Sequence, residues 1–424
     1  MKADHSQVVA ELSERQLIND KTNQVEDHLK SPRKVYLGFD PTAPSLHVGS
    51  LAPLIMLIHF ARHGHTPVIV MGNGTALIGD PSGKDKERPL LPREQIQENA
   101  KHLNEQIRHL LRIAPSNIEF YNNSEWLEKL SLIEFLRDTG KHITVNYMLA
   151  KESVKKRLEK GISYTEFTYM LLQGYDFWFL FKNHDVTVQV GGADQWGNIT
   201  TGIELIRRRE GKEAHGITCP LLLRADGTKF GKTEQGNIWL DPTKTSPFRF
   251  YQYWINVSDS EVPMLLKRLT LLPLEEINRI LQEHESAPEK RIAQKTLAKE
   301  LTIWVHGQEE YEKVKLASEI LFGKENLKRL QELPEQTLQQ IIQEIPSFKV
   351  QIPDDGIPLL DLLTGRLSQS RSELKRLIKS GSIKINKKTI TDPKALITKE
   401  NLLSHNIILI QKGKKDYYVL VNES

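Results

Sequence analysis

The chain has 424 residues, more than one hydrophobic core usually supports, and 39% hydrophobic with 26% charged residues is the composition of a folded globular protein. One cysteine, Cys219, excludes an internal disulfide framework, and no window reaches the ~18 apolar residues of a membrane span. The N-terminal MKADHSQVVAELSERQLIND has neither a signal-peptide apolar run nor an acid-poor transit composition, so a cytoplasmic protein with no membrane contact is expected.

In chain order, Lys34–Phe39 (KVYLGF) predicts a short strand, an apolar run of helical period follows from about Val48 to His63, and Pro67–Met71 (PVIVM) returns as a buried strand. Strand, helix, strand in this order is a βαβ unit, which implies a parallel sheet with right-handed crossovers. A second unit starts at Asp185, where DVTVQV runs into GGADQW and a helical stretch from about Gln195 to Arg209. The expected fold class of residues 1–245 is therefore α/β, a doubly wound parallel sheet of Rossmann-like type. Over residues 246–332 strand signals fade, and PLEEINRILQEH and KRIAQKTLAKELTIWVHG predict a helical domain. The Gln- and Pro-punctuated stretch 333–356 reads as a linker, followed by a small basic α+β module at 357–424.

That module carries 13 Lys and Arg against 6 Asp and Glu, a surplus larger than the net +4 of the whole chain. Such asymmetry predicts a polyanion as its partner. SQSRSELKRLIKSG predicts a helix with Leu374, Leu377 and Ile378 inward, Arg371, Lys375 and Lys379 on one outer stripe, and Gly381 as its C-cap. SIKIN predicts a half-buried strand ending in an Asn-Lys-Lys turn.

Ligands of a parallel α/β sheet lie at the carboxyl ends of its strands, where helix N-termini aim backbone N–H groups outward. The first such loop is YLGFDPTAPSLHVGS, Tyr36–Ser50. Gly38 and Gly49 allow a ligand close to the backbone, and Thr42 and His47 offer hydrogen-bond donors beside the helix start. Alone, it is equally a turn entering a helix. The second is ADGTKFGKT, where Lys229 and Lys232 flank a glycine and Thr233 follows, a spacing able to clamp two sides of a polyphosphate. Alone, it is a surface lysine turn. GNGTALIG lacks the spacing of a dinucleotide fingerprint and no GxxxxGK is present, which disfavours dehydrogenase and P-loop readings. His59, His63 and His65 have no carboxylate or cysteine nearby in sequence, so they are expected to be helix-surface histidines, and no protein-bound metal site is predicted.

Together, at this separation, HVGS (His47–Ser50) and KFGKT (Lys229–Thr233) resemble the HIGH and KMSKS signatures of class I aminoacyl-tRNA synthetases. GDPSGK, YTEFTYMLLQGYDF and GGADQWGNIT between them resemble the tyrosine-specific family of that class, and the resemblance spans essentially the whole chain. It implies an enzyme that activates L-tyrosine with ATP, with Mg²⁺ accompanying the phosphates, and transfers it to tRNA(Tyr). It also implies a homodimer formed through the segment around Phe135 to Met148.

By the same resemblance, Thr42 and His47 contact the γ-phosphate end, and Lys229, Lys232 and Thr233 close over the pyrophosphate. Tyr36 and Asp176 take the phenol hydroxyl, Asp80, Tyr169 and Gln173 the α-ammonium group, and Gln195 the carboxylate side. Asp194 suits the ribose, and Gly38, Asp40, Gly49, Ser50 and Gly192 complete the ATP site. Tyr169, Gln173 and Asp176 recur at helical spacing, and a polar stripe among Phe167, Met170, Leu171 and Phe177 calls for a ligand or a buried network. Two departures are expected to weaken ATP binding: Ser50 stands where the family often has a second histidine, and Leu37 where it often has a small polar residue.

The C-terminal module resembles the small RNA-binding module shared by a ribosomal small-subunit protein and pseudouridine synthases, implying that Arg371, Lys375, Arg376, Lys379 and Lys384 meet structured RNA. Intact Lys229, Lys232, Asp194 and Gln195 argue against a non-catalytic RNA-binding relative. The Tyr36 and Asp176 pair argues against a tryptophan-activating sibling, because indole offers only a donor, at a different position.

Overall fold

A computed structural model describes residues 5–82, 89–158, 161–224, 226–233, 236–322, 334–367, 369–403, 406–413 and 416–423. The chain divides into two compact units, Met1–Thr245 with Ile255–Leu301, and Ser246–Trp254 with Thr302–Ser424.

Parallel strands buried on both faces need near-continuous apolar runs, and the first unit supplies them. Its sheet comprises β1 (Asp20–Lys21), β2 (Lys34–Phe39), β3 (Thr66–Met71), β4 (Glu119–Asn122), β5 (Val186–Gly192) and β6 (His215–Cys219) in the order β1-β6-β5-β2-β3-β4. All neighbours are parallel except the antiparallel edge strand β1. The chain runs outward from β2 to β3 on one side and returns to β5 on the other. The crevice between the ends of β2 and β5 is therefore a topological switch point, where such sheets bind ligands. The doubly wound α/β architecture expected of the sequence is the one observed. The short edge strand β1 and the strand β4 carry too few apolar residues to announce themselves.

In the first unit, α1 (Gln7–Glu14) precedes the sheet, and α2 (Leu51–Arg62) begins after a single 3-10 turn, Val48–Ser50. Helix α2 is apolar on nearly every side and is buried accordingly. Further along come α3 (Arg93–Leu111), α4 (Tyr164–His184) and α5 (Trp196–Glu210). Helices α4 and α5 approach closely because Gly202 has no side chain: a Cβ there would sit 2.9 Å from Phe177 Cβ. That approach turns one polar face of α4 toward the crevice.

The histidines depart from expectation. His59 and His65 are fully buried, not on a helix surface. The carboxylate absent from their sequence neighbourhood comes from α1, where Glu11 Oε1 lies 3.2 Å from His59 Nδ1 and Oε2 lies 2.8 Å from His63 Nε2. Among the described residues no cluster of His, Cys, Asp or Glu could hold a metal ion. One turn on, Arg15 is buried and donates to the carbonyls of Lys267, Thr270 and Leu272, capping α6 (Val262–Leu269).

Two expected boundaries shift. The segment 246–332 does not form one helical body, because Ile255–Leu301 groups with the first unit. The stretch 333–356 is not a bare linker either. It contains α7 (Glu335–Glu344) and β7 (Ser347–Val350), and β7 pairs parallel with the last strand. That sheet holds β8 (Ile383–Ile385), β9 (Lys388–Thr389), β10 (Ile407–Lys412) and β11 (Asp416–Asn422) in the order β9-β8-β10-β11-β7. Punctuation by Gln and Pro suggests a break, whereas the partner of β7 stands at the far end of the chain, beyond the reach of local pattern. A core of Leu374, Ile378, Ile383, Ile385, Ile408 and Leu420 seals this module.

Candidate active site

A cavity of about 390 Å³ opens at the switch point, within the usual size of a small-molecule site. Its floor is α4, which presents Tyr169, Gln173 and Asp176 on one buried face as their spacing predicts.

Asp176 is 1% exposed and is held by two N–H donors, Trp126 Nε1 at 2.7 Å and Asn123 Nδ2 at 2.9 Å. Burial outweighs both bonds and pushes its carboxyl up to about 7. Tyr36, at 2% exposure on β2, lies close enough for Asp176 to act on it, and burial followed by that carboxylate drives its phenol well above the ordinary range. A Cβ on Gly38 would stand 3.0 Å from the Tyr36 hydroxyl, so the glycine leaves this end open.

Asn198 on α5 ties together a second group of polar side chains at the cavity. Its Nδ2 donates to Gln173 Oε1 at 3.0 Å, to Gln195 Oε1 at 3.1 Å and to Ser82 Oγ at 3.2 Å. Gln195 Nε2 in turn donates to Asp80 Oδ2 at 2.7 Å. Asp80 and Gln173, two of the residues expected at the α-ammonium group, are thereby joined through Asn198 and Gln195 in one network. Tyr169, expected to contact that group, gives its proton to Asp40 Oδ2 at 2.7 Å, which leaves its oxygen as an acceptor.

The two signature loops meet across the cavity mouth. His47 Nδ1 accepts the Gly49 N–H at 3.0 Å, which places the ring proton on Nε2. Backbone bonds from Val48 N to Ile238 O (3.1 Å), Leu240 N to Leu46 O (2.9 Å) and Ile238 N to Gly231 O (2.7 Å) fasten this loop to the segment following KFGKT. Trp239 packs edge-on against the His47 ring. Thr42, Gly49, Ser50, Gly192, Asp194, Lys229 and Lys232 line the same cavity. Leu37 lines it as well, buried at 3%. Thr233 ends a two-residue strand that Lys232 begins, and its side chain lies outside the described residues, as do Gly83 and Lys84 of GDPSGK.

Sequence reasoning missed Thr75, Asn123, Trp126, Gln189 and Asn198. Asn123 and Trp126 follow β4, a strand without a pattern, and Thr75 sits in the glycine turn dismissed as a failed fingerprint. Gln189 is 2% exposed on β5 and its Oε1 has no hydrogen-bond partner among the described residues, at a position lining the cavity. Its place in an apolar strand was the available signal.

In the second unit, α8 (Arg371–Lys379) is N-capped by Ser370, buries Leu374 and Ile378, and is followed by Gly381 at φ +70°. Lys375, Arg376 and Lys379 are exposed and Lys384 is half-buried on β8. Arg371 is ion-paired with Asp361, so it is a weaker candidate for an RNA phosphate than its neighbours.

A doubly wound sheet, a switch-point cavity and two lysine- and histidine-bearing loops define a class I aminoacyl-tRNA synthetase. The profile of tRNA synthetases class I (W and Y) matches residues 28–323, and that of the tyrosine–tRNA ligase SYY-like C-terminal domain matches residues 337–420. The tyrosine–tRNA ligase of Amoebophilus asiaticus is 47% identical, over 97% of this chain and 98% of its own. That of Porphyromonas gingivalis is 45% identical, over 98% and 99%. A C-terminally truncated mitochondrial tyrosyl-tRNA synthetase from Aspergillus nidulans superposes with a TM-score of 0.68 at 32% identity, over 74% of this chain and 94% of that one. The chain belongs to the class I tRNA synthetases and, within them, to the tyrosine–tRNA ligases.

Proposed function

We propose that the chain ligates tyrosine to tRNA in two steps, both at the switch-point cavity. The tyrosine carboxylate attacks the α-phosphorus of ATP, the bond to the β-phosphate oxygen breaks, and tyrosyl-adenylate and pyrophosphate result. A ribose hydroxyl at the tRNA 3′ end then attacks the tyrosyl carbonyl and AMP leaves. The amino-acid carboxylate is already ionised at neutral pH, so no protein nucleophile or base is needed for activation. Rate enhancement then comes from alignment and from stabilising charge on the leaving pyrophosphate.

The roles are those the family resemblance implies, and the lining of the cavity supports them. Tyr36 and Asp176 take the phenol hydroxyl, while Asp80, Tyr169 and Gln173 hold the ammonium group and Gln195 lies toward the carboxylate. Asp194, beside Gly192 at the start of α5, suits the ribose, with Gly38, Asp40, Gly49 and Ser50 around the nucleotide. Thr42, His47, Lys229, Lys232 and Thr233 meet the phosphates, and Mg²⁺ would be held chiefly by those phosphates and would neutralise part of their charge. The observation that carries this reading is the buried Asp176–Tyr36 end opening into the same cavity as both loops.

Lys375, Arg376, Lys379 and Lys384 are proposed to grip tRNA by its phosphates. A homodimer is proposed through the segment around Phe135 to Met148, where Leu136 and Val145 are exposed beside Leu132 at 68% and Ile133 at 70% exposure. The cytoplasm, where charged tRNA is consumed, is the proposed location. Incubation with ATP, labelled tyrosine and purified tRNA tests the whole reaction: label should become acid-precipitable with tRNA(Tyr), and label on no tRNA would overturn the reading.

A further inference from the structure

Five side chains form one hydrogen-bonded line along the cavity, with Asn123 donating toward both sides. Trp126 Nε1 donates to Asp176 Oδ1 at 2.7 Å and Asn123 Nδ2 to Asp176 Oδ2 at 2.9 Å. The other Asn123 hydrogen goes to Thr75 Oγ1 at 2.9 Å, and the Thr75 hydroxyl donates to Asp40 Oδ1 at 2.7 Å. The orientation of the Asn123 amide is fixed. Gly74 N donates to Asn123 Oδ1 at 2.8 Å, which fixes which end of the amide carries hydrogens. Thr75 has one proton, for which Asp40 Oδ1 at 2.7 Å is a nearer acceptor than the Gly72 carbonyl at 3.2 Å. Carboxylates, Asp176 and Asp40, stand on the two sides of the Asn123–Thr75 pair. Thr75 is 2% and Asn123 1% exposed, so water does not substitute for these bonds. Room for the contact depends on Gly72, where a Cβ would lie 2.0 Å from Asp40 Oδ1 and 2.6 Å from Thr75 Oγ1.

The line joins two jobs. Asp176 stands where the phenol binds, whereas Asp40 opens the loop that runs through Thr42 to His47, and its own carbonyl accepts the Thr42 N–H at 2.8 Å. We propose that Thr75 is a positioning residue that couples phenol recognition at Asp176 to the placement of the ATP loop at Asp40, with Asn123 as the intermediate. The inference rests on the site roles given above. A ligand hydroxyl drawing on Asp176 changes the pull on one Asn123 hydrogen while the other is held by Thr75, and the buried chain passes that change through the Thr75 hydroxyl to Asp40. Tyrosine with its hydroxyl would thereby set the ATP loop better than an analogue lacking it.

Thr75→Val removes the hydroxyl at nearly constant volume, and Thr75→Ser keeps it. Both are compared with the parent in tyrosine-dependent ATP–pyrophosphate exchange, with tyrosine affinity measured separately by calorimetry without ATP. Thr75→Val should lower kcat/KM for ATP on the order of ten- to hundredfold, the range for a broken buried hydrogen bond. Tyrosine Kd should move by less than roughly threefold and Thr75→Ser should restore the parent value. In a double-mutant cycle, Asp176→Asn should cost kcat/KM for ATP less in the Thr75→Val background than in the parent. Unchanged kcat/KM for ATP, additivity in the cycle, or a Thr75→Ser variant as impaired as Thr75→Val would overturn the proposal. The parent's own exchange, run first on the same preparation, separates this failure from failure of the tyrosine reading.

Discussion

Gly231 lies directly against Val48: a Cβ added to the glycine would stand 2.2 Å from Val48 Cγ2, at a backbone φ of +84°. The lysine loop therefore packs on the histidine loop through a position where only glycine is comfortable. Gly231→Ala should strain the turn and push Lys229 and Lys232 away from the phosphates. Single-turnover adenylate formation should slow by at least roughly tenfold while tyrosine affinity holds, since misplacement alone carries such penalties. A normal rate would show that the loops do not depend on this contact.

The buried carboxyl of Asp176 should make tyrosine binding pH-dependent. In its proposed role the ionised form accepts the phenol proton, and burial raises the carboxyl to about 7. Tyrosine affinity should therefore climb as pH rises through 7 and then level off, whereas Asp176→Asn should give a flat profile. That variant should also prefer tyrosine to phenylalanine less, by on the order of ten- to hundredfold. For folding the sign is opposite. The native state keeps this proton between the unfolded value near 3.8 and about 7, so the group's contribution to stability declines as pH rises across that window. Calorimetric titration from pH 5.5 to 8.5 checks the binding profile.

Glu11 ties α1 to α2 through His59 and His63, with Arg15 beside it. The adjacent His59 ring first, opposed by burial and aided by His63, holds its carboxyl well below the usual range. A depressed acid stabilises the fold above its unfolded value near 4.5 and loses that contribution as pH falls. Glu11→Gln should lower the melting temperature by roughly 2–8 °C at pH 7.5. The gap should narrow below pH 4.5. His28 and His65, lowered to about 4 mainly by burial, add acid sensitivity of their own, stabilising above 6.5 and losing that as pH falls toward 4. Scanning calorimetry of parent and variant across pH checks both statements.

The exposed cations of α8 offer a separable test. Replacing Lys375, Arg376 and Lys379 together with alanine should weaken tRNA binding and reduce its logarithmic salt slope by roughly two to three. Pyrophosphate exchange should be unaffected, since no residue of α8 lines the cavity. A variant with the parent's salt slope would place the tRNA contact elsewhere.

The legible part of this protein is the part written in local pattern. KVYLGF and PVIVM are continuous apolar runs, so β2 and β3 stand out, and Tyr169, Gln173 and Asp176 reveal their shared face by spacing alone. Loops such as HVGS and KFGKT carry meaning only jointly, through resemblance. What stayed hidden depends on chain reversal. Glu11 reaches His59 from another helix, Asn123 reaches Asp176 after a strand that lacks a hydrophobic signature, and β7 finds β11 across the whole C-terminal module. Buried polar groups that serve other buried polar groups have no periodicity to betray them.

The central claim is that one cavity selects tyrosine and activates it with ATP. ATP–pyrophosphate exchange with the purified chain, run at matched concentrations of tyrosine, tryptophan and phenylalanine, tests it most directly. Tyrosine alone should support rapid exchange, and Lys232→Ala should reduce that rate by roughly a hundredfold or more at saturating tyrosine. Exchange driven by tryptophan in preference to tyrosine, or a tyrosine-driven rate indifferent to Lys232, would contradict the account.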